Sequence, residues 1–99
     1  MTESMQAEQY EILFDKAVSY IRTKDKNANL TDEQKLNIYA LYKQSTVGNC
    51  NIERPGGLFN WERKSMWDAW KALEEKNIKN PKKMYVDYVT SLFKYWQSE

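Results

Sequence analysis

The sequence predicts a small all-α protein, a bundle of four helices within one domain that spans residues 1–99. Apolar side chains recur at spacings of three and four residues in four separate segments, which is the pattern of amphipathic helices. No segment alternates between apolar and polar residues with a period of two, as a half-buried strand would. The 3 glycines and 2 prolines are also too few for a turn-rich β protein.

The first two helices are predicted on either side of the polar segment KDKNAN. The first extends from about Ser4 to about Thr23. The second should start at Thr31, because its hydroxyl can accept a hydrogen bond from an early backbone N–H while Gln34 reaches back, as in a capping box. This helix should end near Gly48, since glycine adopts the left-handed conformation of a helix C-terminus at the least cost.

The last two helices follow a long loop. Residues 49–60 contain the run RPGG and are predicted to form an irregular loop, whose length of about twelve residues is typical of functional loops. A third helix is predicted from about Asn60 to about Lys76. The fourth has Asn80 as its N-cap and Pro81 in its first position, where the missing N–H of proline costs nothing. Its apolar repeat continues to the end of the chain.

The composition excludes several classes of function. The absence of histidine removes the commonest general base and the usual zinc ligand. The single cysteine, Cys50, excludes an intramolecular disulfide and a cysteine-rich metal site. The 15 basic and 14 acidic residues give a net charge of +1, so no overall positive field attracts nucleic acid. We therefore expect no enzymatic activity, no cofactor, no metal and no nucleic-acid partner.

Neither end of the sequence resembles a targeting segment. The start, MTESMQAEQYE, is polar and acidic, whereas a secretory signal carries positive charge followed by an apolar run. No stretch approaches the ~18 to 20 apolar residues of a membrane-spanning helix. We expect a cytoplasmic protein without a stable membrane anchor, and its small size and balanced charge favour a monomer.

Two predicted helices have apolar and aromatic arcs that are wider than one contact with a helical core requires. In the second helix Tyr39 and Tyr42 extend the arc, and Lys43 adds a cation beside them. Rings and a cation together suit a ligand with a planar ring and a negative group, such as a nucleotide. In the fourth helix Tyr85 and Tyr88 belong to two different apolar rows. The alternative is that the tyrosines are half-buried edge residues of the core and Lys43 an ordinary surface lysine.

The residues between Tyr39 and Trp70 form an ordered series of motifs, YALYKQSTVGNCNIERPG followed by WDAW. The elements of the series are Tyr39, Tyr42-Lys43-Gln44, Ser45, Thr46-Val47-Gly48, Arg54-Pro55-Gly56 and Trp67-Asp68-Ala69-Trp70. This series resembles the acyl-CoA-binding protein family. The resemblance extends over about residues 7 to 96, with a small insertion near residues 24–29.

The resemblance implies a four-helix bundle with up-down-down-up topology that binds long-chain acyl-CoA thioesters and performs no chemistry. It implies an intracellular carrier that maintains a pool of medium- or long-chain acyl-CoA and delivers it, in transient contacts, to enzymes that use it. One side of each wide arc would then pack in the bundle and the other side against ligand. The alternative function is a helical protein-interaction module, in which the same aromatic side chains contact a partner.

By position, the resemblance implies two groups of ligand-binding residues. The CoA head group is expected to contact Arg22, Tyr39, Tyr42, Lys43 and Tyr85. The acyl chain is expected to contact Leu36. Lys35, beside it, stands where the family often has an apolar residue, so its stem lies along the chain or the preferred chain length differs.

One position departs from the family pattern. Met66 replaces a lysine that pairs with a CoA phosphate in the family. A charge-assisted hydrogen bond to phosphate contributes about 1.5 to 3 kcal/mol, so its loss weakens binding by about one to two powers of ten. Arg63, on the same helix face, is expected to compensate in part. Lys64 also matches a basic position of the family, although it lies roughly 160° around the helix from Met66.

Overall fold

The computed structural model describes residues 3–24 and 29–98, with side chains from residue 8 onward. Its four helices are α1 (Glu3–Lys24), α2 (Asp32–Thr46), α3 (Trp61–Ala72) and α4 (Pro81–Leu92). Short 3₁₀ turns at Leu73–Lys76 and Trp96–Ser98 follow α3 and α4. These described ranges contain no β-strand, which confirms the all-α prediction. The insertion expected near residues 24–29 lies mostly outside the described residues.

Helices α1 and α4 run parallel to each other. In the first half of α1 and at the start of α4, Nζ of Lys82 lies 2.6 Å from a carboxylate oxygen of Glu11. Near their ends, the rings of Tyr20 and Phe93 pack edge to face with centroids 5.4 Å apart. Because residues later in one helix contact residues later in the other, the two helices point the same way.

Helix α2 runs antiparallel to this pair. Nδ2 of Asn37 donates a hydrogen bond to the hydroxyl oxygen of Tyr88 at 3.2 Å. One turn later in α2, Tyr42 meets the Phe14 ring, which also packs on Tyr85, one turn earlier in α4. The contacts therefore advance along α2 while they go backwards along α4.

Helix α3 runs parallel to α2. Tyr39 and Met66 line the same cavity, and one turn further Nζ of Lys43 lies 4.9 Å from the ring centroid of Trp70. The order of directions is therefore up, down, down, up. This result confirms the topology that the resemblance implied.

The core lies where α4 packs between α1 and α2, with Trp70 of α3 against α2. The buried apolar side chains are Phe14, Ala17, Ile21, Ile38, Ala40, Leu41, Trp70, Leu73, Tyr85, Val86, Val89 and Trp96. The indole N–H of Trp70 donates to the carbonyl oxygen of Gly48 at 2.8 Å, so this buried polar group is satisfied. None of the described helices has both the length and the apolar character that crossing a membrane requires.

The predicted helix ends are largely confirmed. The Thr31 hydroxyl accepts from the Gln34 backbone N–H at 3.1 Å, and the Gln34 side chain accepts from the Thr31 N–H at 2.9 Å, which is the capping box. Gly48 adopts a φ of +96° after the end of α2. The Asn80 side chain accepts from the Lys83 backbone N–H, and Pro81 opens α4.

The end of α4 differs from the prediction, because the helix stops at Leu92 and does not continue to the end of the chain. The indole N–H of Trp96 donates to the Thr90 hydroxyl at 2.9 Å. Residues six apart lie about 9 Å apart along a continuous helix and on different faces of it. The break after Leu92 therefore lets Trp96 turn back, make this hydrogen bond and pack on Tyr20, 5.8 Å away between ring centroids.

Candidate functional site

A cavity of about 780 Å³ lies between the helices, with walls from all four of them. This volume is within the range of small-molecule sites in proteins. Its lining residues are Val18, Ile21 and Arg22 of α1; Asp32, Lys35, Leu36, Ile38, Tyr39 and Tyr42 of α2; Trp61, Glu62, Ser65 and Met66 of α3; and Tyr85 of α4.

The structure brings most of the predicted site residues together around this cavity. The predicted residues in its wall are Arg22, Lys35, Leu36, Tyr39, Tyr42, Met66 and Tyr85. These residues belong to four helices, and the first and last of them, Arg22 and Tyr85, are 63 positions apart in the sequence. The up-down-down-up packing makes them neighbours. The cavity is therefore the candidate ligand site.

Three predicted residues do not line the cavity, namely Lys43, Arg63 and Lys64. Lys43 is half-buried, and the ring that its ammonium contacts is that of Trp70, at 4.9 Å, where the sequence suggested the rings of Tyr39 and Tyr42. Nζ of Lys64 donates to the carbonyl oxygen of Gly57 at 2.5 Å, and Arg63 is exposed. The contribution of these three cations to ligand binding stays a prediction.

Tyr85 forms the buried end of the site. Only 2% of the residue is exposed, and its ring packs edge to face against Phe14 with centroids 5.0 Å apart. Phe14 also stacks on Tyr42 at 6.2 Å, so one buried ring packs against two of the three cavity tyrosines. Burial raises the pKa of Tyr85, with a further increase from Tyr42 that the positive charge of Arg22 partly opposes. Its hydroxyl is therefore a neutral donor with a guanidinium in electrostatic reach.

Tyr39 provides a second neutral hydroxyl. The side chain is half-buried, and burial raises its pKa, as does the nearby thiol of Cys50 to a smaller extent. A phenol with a raised pKa keeps its proton at neutral pH and can donate a hydrogen bond to an anionic oxygen. The rings of these tyrosines also offer flat faces for a planar group.

The cavity combines apolar walls with charges of both signs. Val18, Ile21, Leu36 and Ile38 contribute aliphatic surface. Arg22 and Lys35 contribute positive charge, and Asp32 and Glu62 contribute negative charge. Such a lining suits a ligand that has both an anionic part and a long apolar part.

Seven lining residues were not predicted as site residues from the sequence, namely Val18, Ile21, Asp32, Ile38, Trp61, Glu62 and Ser65. Asp32 lies one turn before Leu36, and Glu62 lies one turn before Met66, so helical spacing from the predicted residues could have identified both. These two acidic side chains lie in the same cavity because α2 and α3 pack parallel to each other, which their sequence positions alone do not indicate.

An ion pair fixes the loop between α2 and α3. Nε of Arg54 donates to Oδ1 of Asp68 at 2.9 Å and Nη2 donates to Oδ2 at 3.0 Å, in a bidentate arrangement. The indole N–H of Trp67 donates to the carbonyl oxygen of Ile52 at 2.9 Å. Arg54 lowers the pKa of Asp68, chiefly through the hydrogen bond that its guanidinium donates to the carboxylate. The loop that leads into Trp61 is thus attached to α3, and Asp68 has a structural role.

The fold and the cavity together define a small helical domain with a candidate ligand site between its helices. Residues 11–89 match the family model described as "Acyl CoA binding protein". The chain belongs to the acyl-CoA-binding protein family, as its motifs predicted. This is a family of binding proteins and not of enzymes.

Relatives and a solved structure agree with this assignment. The chain is 47% identical to an acyl-CoA-binding protein of Ricinus communis over 64 residues, which cover 65% of this chain and 70% of that protein. It is 40% identical to acyl-CoA-binding protein 2 of Saccharomyces pastorianus over 83 residues, covering 84% and 88%. The crystal structure of Oryza sativa acyl-CoA-binding protein 2 superposes with a TM-score of 0.67 at 32% identity, covering 88% and 97%.

A further relative is an enzyme. The chain is 39% identical to enoyl-CoA delta isomerase 2 of Rattus norvegicus over 79 residues, which cover 80% of this chain. The match spans 19% of the length of the isomerase, so the similarity concerns one segment of that enzyme.

Proposed function

We propose that this protein binds medium- to long-chain fatty acyl-CoA thioesters and acts as a cytoplasmic, monomeric carrier of them. It would maintain a pool of the thioester and deliver it, in transient contacts, to the enzymes that use it. The observation that carries the proposal is the amphipathic cavity between the helices, in a chain of the acyl-CoA-binding protein family.

The head group of CoA has an aromatic base and several phosphates. In the proposed complex the base stacks on the rings of Tyr39 and Tyr42, and the phosphates accept hydrogen bonds from the tyrosine hydroxyls. Arg22, whose charge acts on the Tyr85 hydroxyl, supplies the counter-charge. Because burial raises the pKa of Tyr39 and Tyr85, both hydroxyls keep the proton that they donate.

The acyl chain would lie along the aliphatic side of the cavity, to which Leu36 of α2 and Met66 of α3 contribute. Each methylene removed from water contributes ~0.8 kcal/mol. Affinity should therefore rise with chain length until the aliphatic wall is covered. Asp32 and Glu62, at the N-terminal ends of the same two helices, oppose deeper burial of a chain because charged groups resist desolvation.

Lys35 is the second cation available to the phosphates. Both Arg22 and Lys35 line the cavity, whereas Arg63 and Lys64 do not. We predicted that Arg63 would partly replace the phosphate contact of the lysine that is absent at Met66. The cavity lining supports Lys35 better than Arg63 in this role. A lysine has a flexible stem that can lie on apolar surface while its ammonium reaches an anion.

A calorimetric titration with palmitoyl-CoA tests the proposal, with free CoA and palmitate as separate controls. We expect one-to-one binding of the thioester and much weaker binding of both fragments, because each fragment uses one side of the cavity. Added salt should weaken the binding, since phosphate contacts are screened. No heat and no thermal stabilisation by palmitoyl-CoA would refute the proposal.

The same titration separates the carrier from the alternative, a protein-interaction module. Tyr85 is buried and Tyr39 and Tyr42 are half-buried in a concave wall, which offers little ring surface to a protein partner. An aromatic protein interface would also respond little to salt or to Lys43→Ala.

A further inference from the structure

The loop before α3 exposes three large apolar side chains. Leu58 is 78% exposed, Phe59 88% and Trp61 71%. We call these three residues the apolar tip. Single exposed apolar residues are common on protein surfaces, but a cluster of them marks an interaction site.

The backbone of this loop is held in one conformation by side chains of the loop and of α3. Nδ2 of Asn60 donates to the carbonyl oxygen of Gly56 at 2.6 Å, and Nζ of Lys64 donates to that of Gly57 at 2.5 Å. Gly57 has a φ of +94°, a conformation that other residues rarely adopt. The tip is therefore presented to solvent by an ordered loop and does not fold back onto the core.

The tip adjoins the end of the cavity proposed for the acyl chain. Trp61 belongs to both the tip and the cavity wall. Because α2 and α3 run parallel, Leu36 near the start of α2 lies at the same end as Trp61 at the start of α3. Leu58 and Phe59 come directly before α3 and do not line the cavity.

The chemistry around the tip favours a lipid surface as the partner. Arg63 and Lys64 follow it in the first turn of α3, after the acidic Glu62, and Nζ of Lys64 lies 5.6 Å from the ring centroid of Trp61. Tryptophan with neighbouring cations is typical of the interfacial zone of a bilayer, where rings lie among the headgroups and cations contact lipid phosphates. The three residues are 71% to 88% exposed, so their side chains are accessible for insertion.

We propose that the apolar tip inserts into the interfacial zone of a phospholipid bilayer and docks the protein there reversibly. Docking would place the acyl end of the cavity against the membrane, so that a thioester dissolved in the bilayer can pass into the cavity. The docking needs no bound ligand, whereas its use in ligand transfer rests on the proposed function.

Vesicle binding of the ligand-free protein tests the docking. The probe is a suspension of vesicles of phosphatidylcholine and phosphatidylglycerol at about 7:3, a ratio with enough anionic lipid to attract Arg63 and Lys64. The test variant is Leu58→Ser with Phe59→Ser, and the matched control is Ile12→Ser with Tyr95→Ser, which removes two exposed apolar side chains elsewhere. We expect the partition coefficient to fall at least about tenfold in the test variant and to stay within about twofold in the control.

Quenching of tryptophan fluorescence by brominated phosphatidylcholine locates the contact. Trp70 and Trp96 are buried and Trp67 is half-buried, so Trp61 is the tryptophan placed to reach the lipid. We expect quenching in the wild type and its loss in Trp61→Phe. Equal partitioning of the wild type and the test variant, or equal losses in the test and control variants, would overturn the proposal. So would a dimer in sedimentation experiments that the test variant abolishes, since a second copy would then cover the tip.

A titration in solution keeps this proposal separate from the proposed function. The test variant should bind palmitoyl-CoA in detergent-free buffer as the wild type does, but take it from vesicles more slowly. Wild-type protein that partitions onto vesicles without binding palmitoyl-CoA would refute the carrier and leave the docking intact. Wild-type protein that binds palmitoyl-CoA but does not partition would refute the docking alone.

Discussion

Replacing Tyr85 with phenylalanine removes one hydroxyl group from the cavity and leaves the ring in place. The ring is 2% exposed and packs on Phe14 at 5.0 Å, a contact that phenylalanine keeps. Within the described part of the chain, no protein group makes a hydrogen bond to this hydroxyl. We therefore expect the free energy of unfolding to change by less than about 1 kcal/mol.

The effect on ligand affinity should be larger. Burial keeps the Tyr85 hydroxyl protonated, and the charge of Arg22 acts on the same point, so an anionic oxygen bound there receives a hydrogen bond. A hydrogen bond to a charged group contributes about 1.5 to 3 kcal/mol. Its loss corresponds to a decrease in palmitoyl-CoA affinity of about 10- to 100-fold.

Titration calorimetry of the wild type and Tyr85→Phe measures this decrease, and thermal unfolding of the free proteins checks the fold. The matched control is Tyr88→Phe on the same helix. Tyr88 is half-buried, and its hydroxyl accepts from Asn37 outside the cavity, so this variant should bind as the wild type does. If Tyr85→Phe also binds as the wild type does, the assignment of its hydroxyl to the head group is wrong.

Three further predictions concern charge and pH. Burial raises the pKa of Tyr85 above 10.0, so its contribution to stability is full below about pH 10 and decreases as the pH rises from there through the folded-state pKa. Urea unfolding from about pH 8 to 11 should therefore show a shallower decline in Tyr85→Phe than in the wild type. Arg54 lowers the pKa of Asp68 below 3.8, so their contact should persist at neutral pH and be lost only as the pH falls below that value. Asp68→Asn should speed proteolysis of the loop at residues 49–60 with helix content unchanged, and equal rates would contradict the anchoring role. Lys35→Met should lower palmitoyl-CoA affinity about tenfold and weaken its salt dependence. If Arg63→Ala lowers the affinity and Lys35→Met does not, then Arg63 and not Lys35 compensates for the lysine that is absent at Met66.

Three helix ends of this protein could be predicted from neighbouring residues alone. The capping box of Thr31 and Gln34, the glycine after α2 and the cap at Asn80 each depend on groups within four positions along the chain. Local hydrogen bonds and backbone preferences act in the same way wherever the segment lies in the fold. The family motifs extended this prediction to the order of the helices and to half of the residues that line the cavity.

The cations could not be placed in this way. A long side chain such as Lys43 or Arg63 can reach several surfaces, and the neighbours that it meets belong to other helices. The contact of Lys43 with Trp70 and the presence of Lys35 in the cavity both follow from the parallel packing of α2 on α3.

The early end of α4 also depends on contacts with another helix. The apolar repeat continues through Trp96, and a continuous helix satisfies that pattern locally. The chain turns instead because Trp96 gains a hydrogen bond to Thr90 and a packed contact with Tyr20 of α1. Local chemistry along this sequence thus specifies where α2 and α4 begin. Contacts between distant residues specify what the long side chains touch and where the last helix stops. Such contacts form only when the helices pack, and no pattern along one helix contains them.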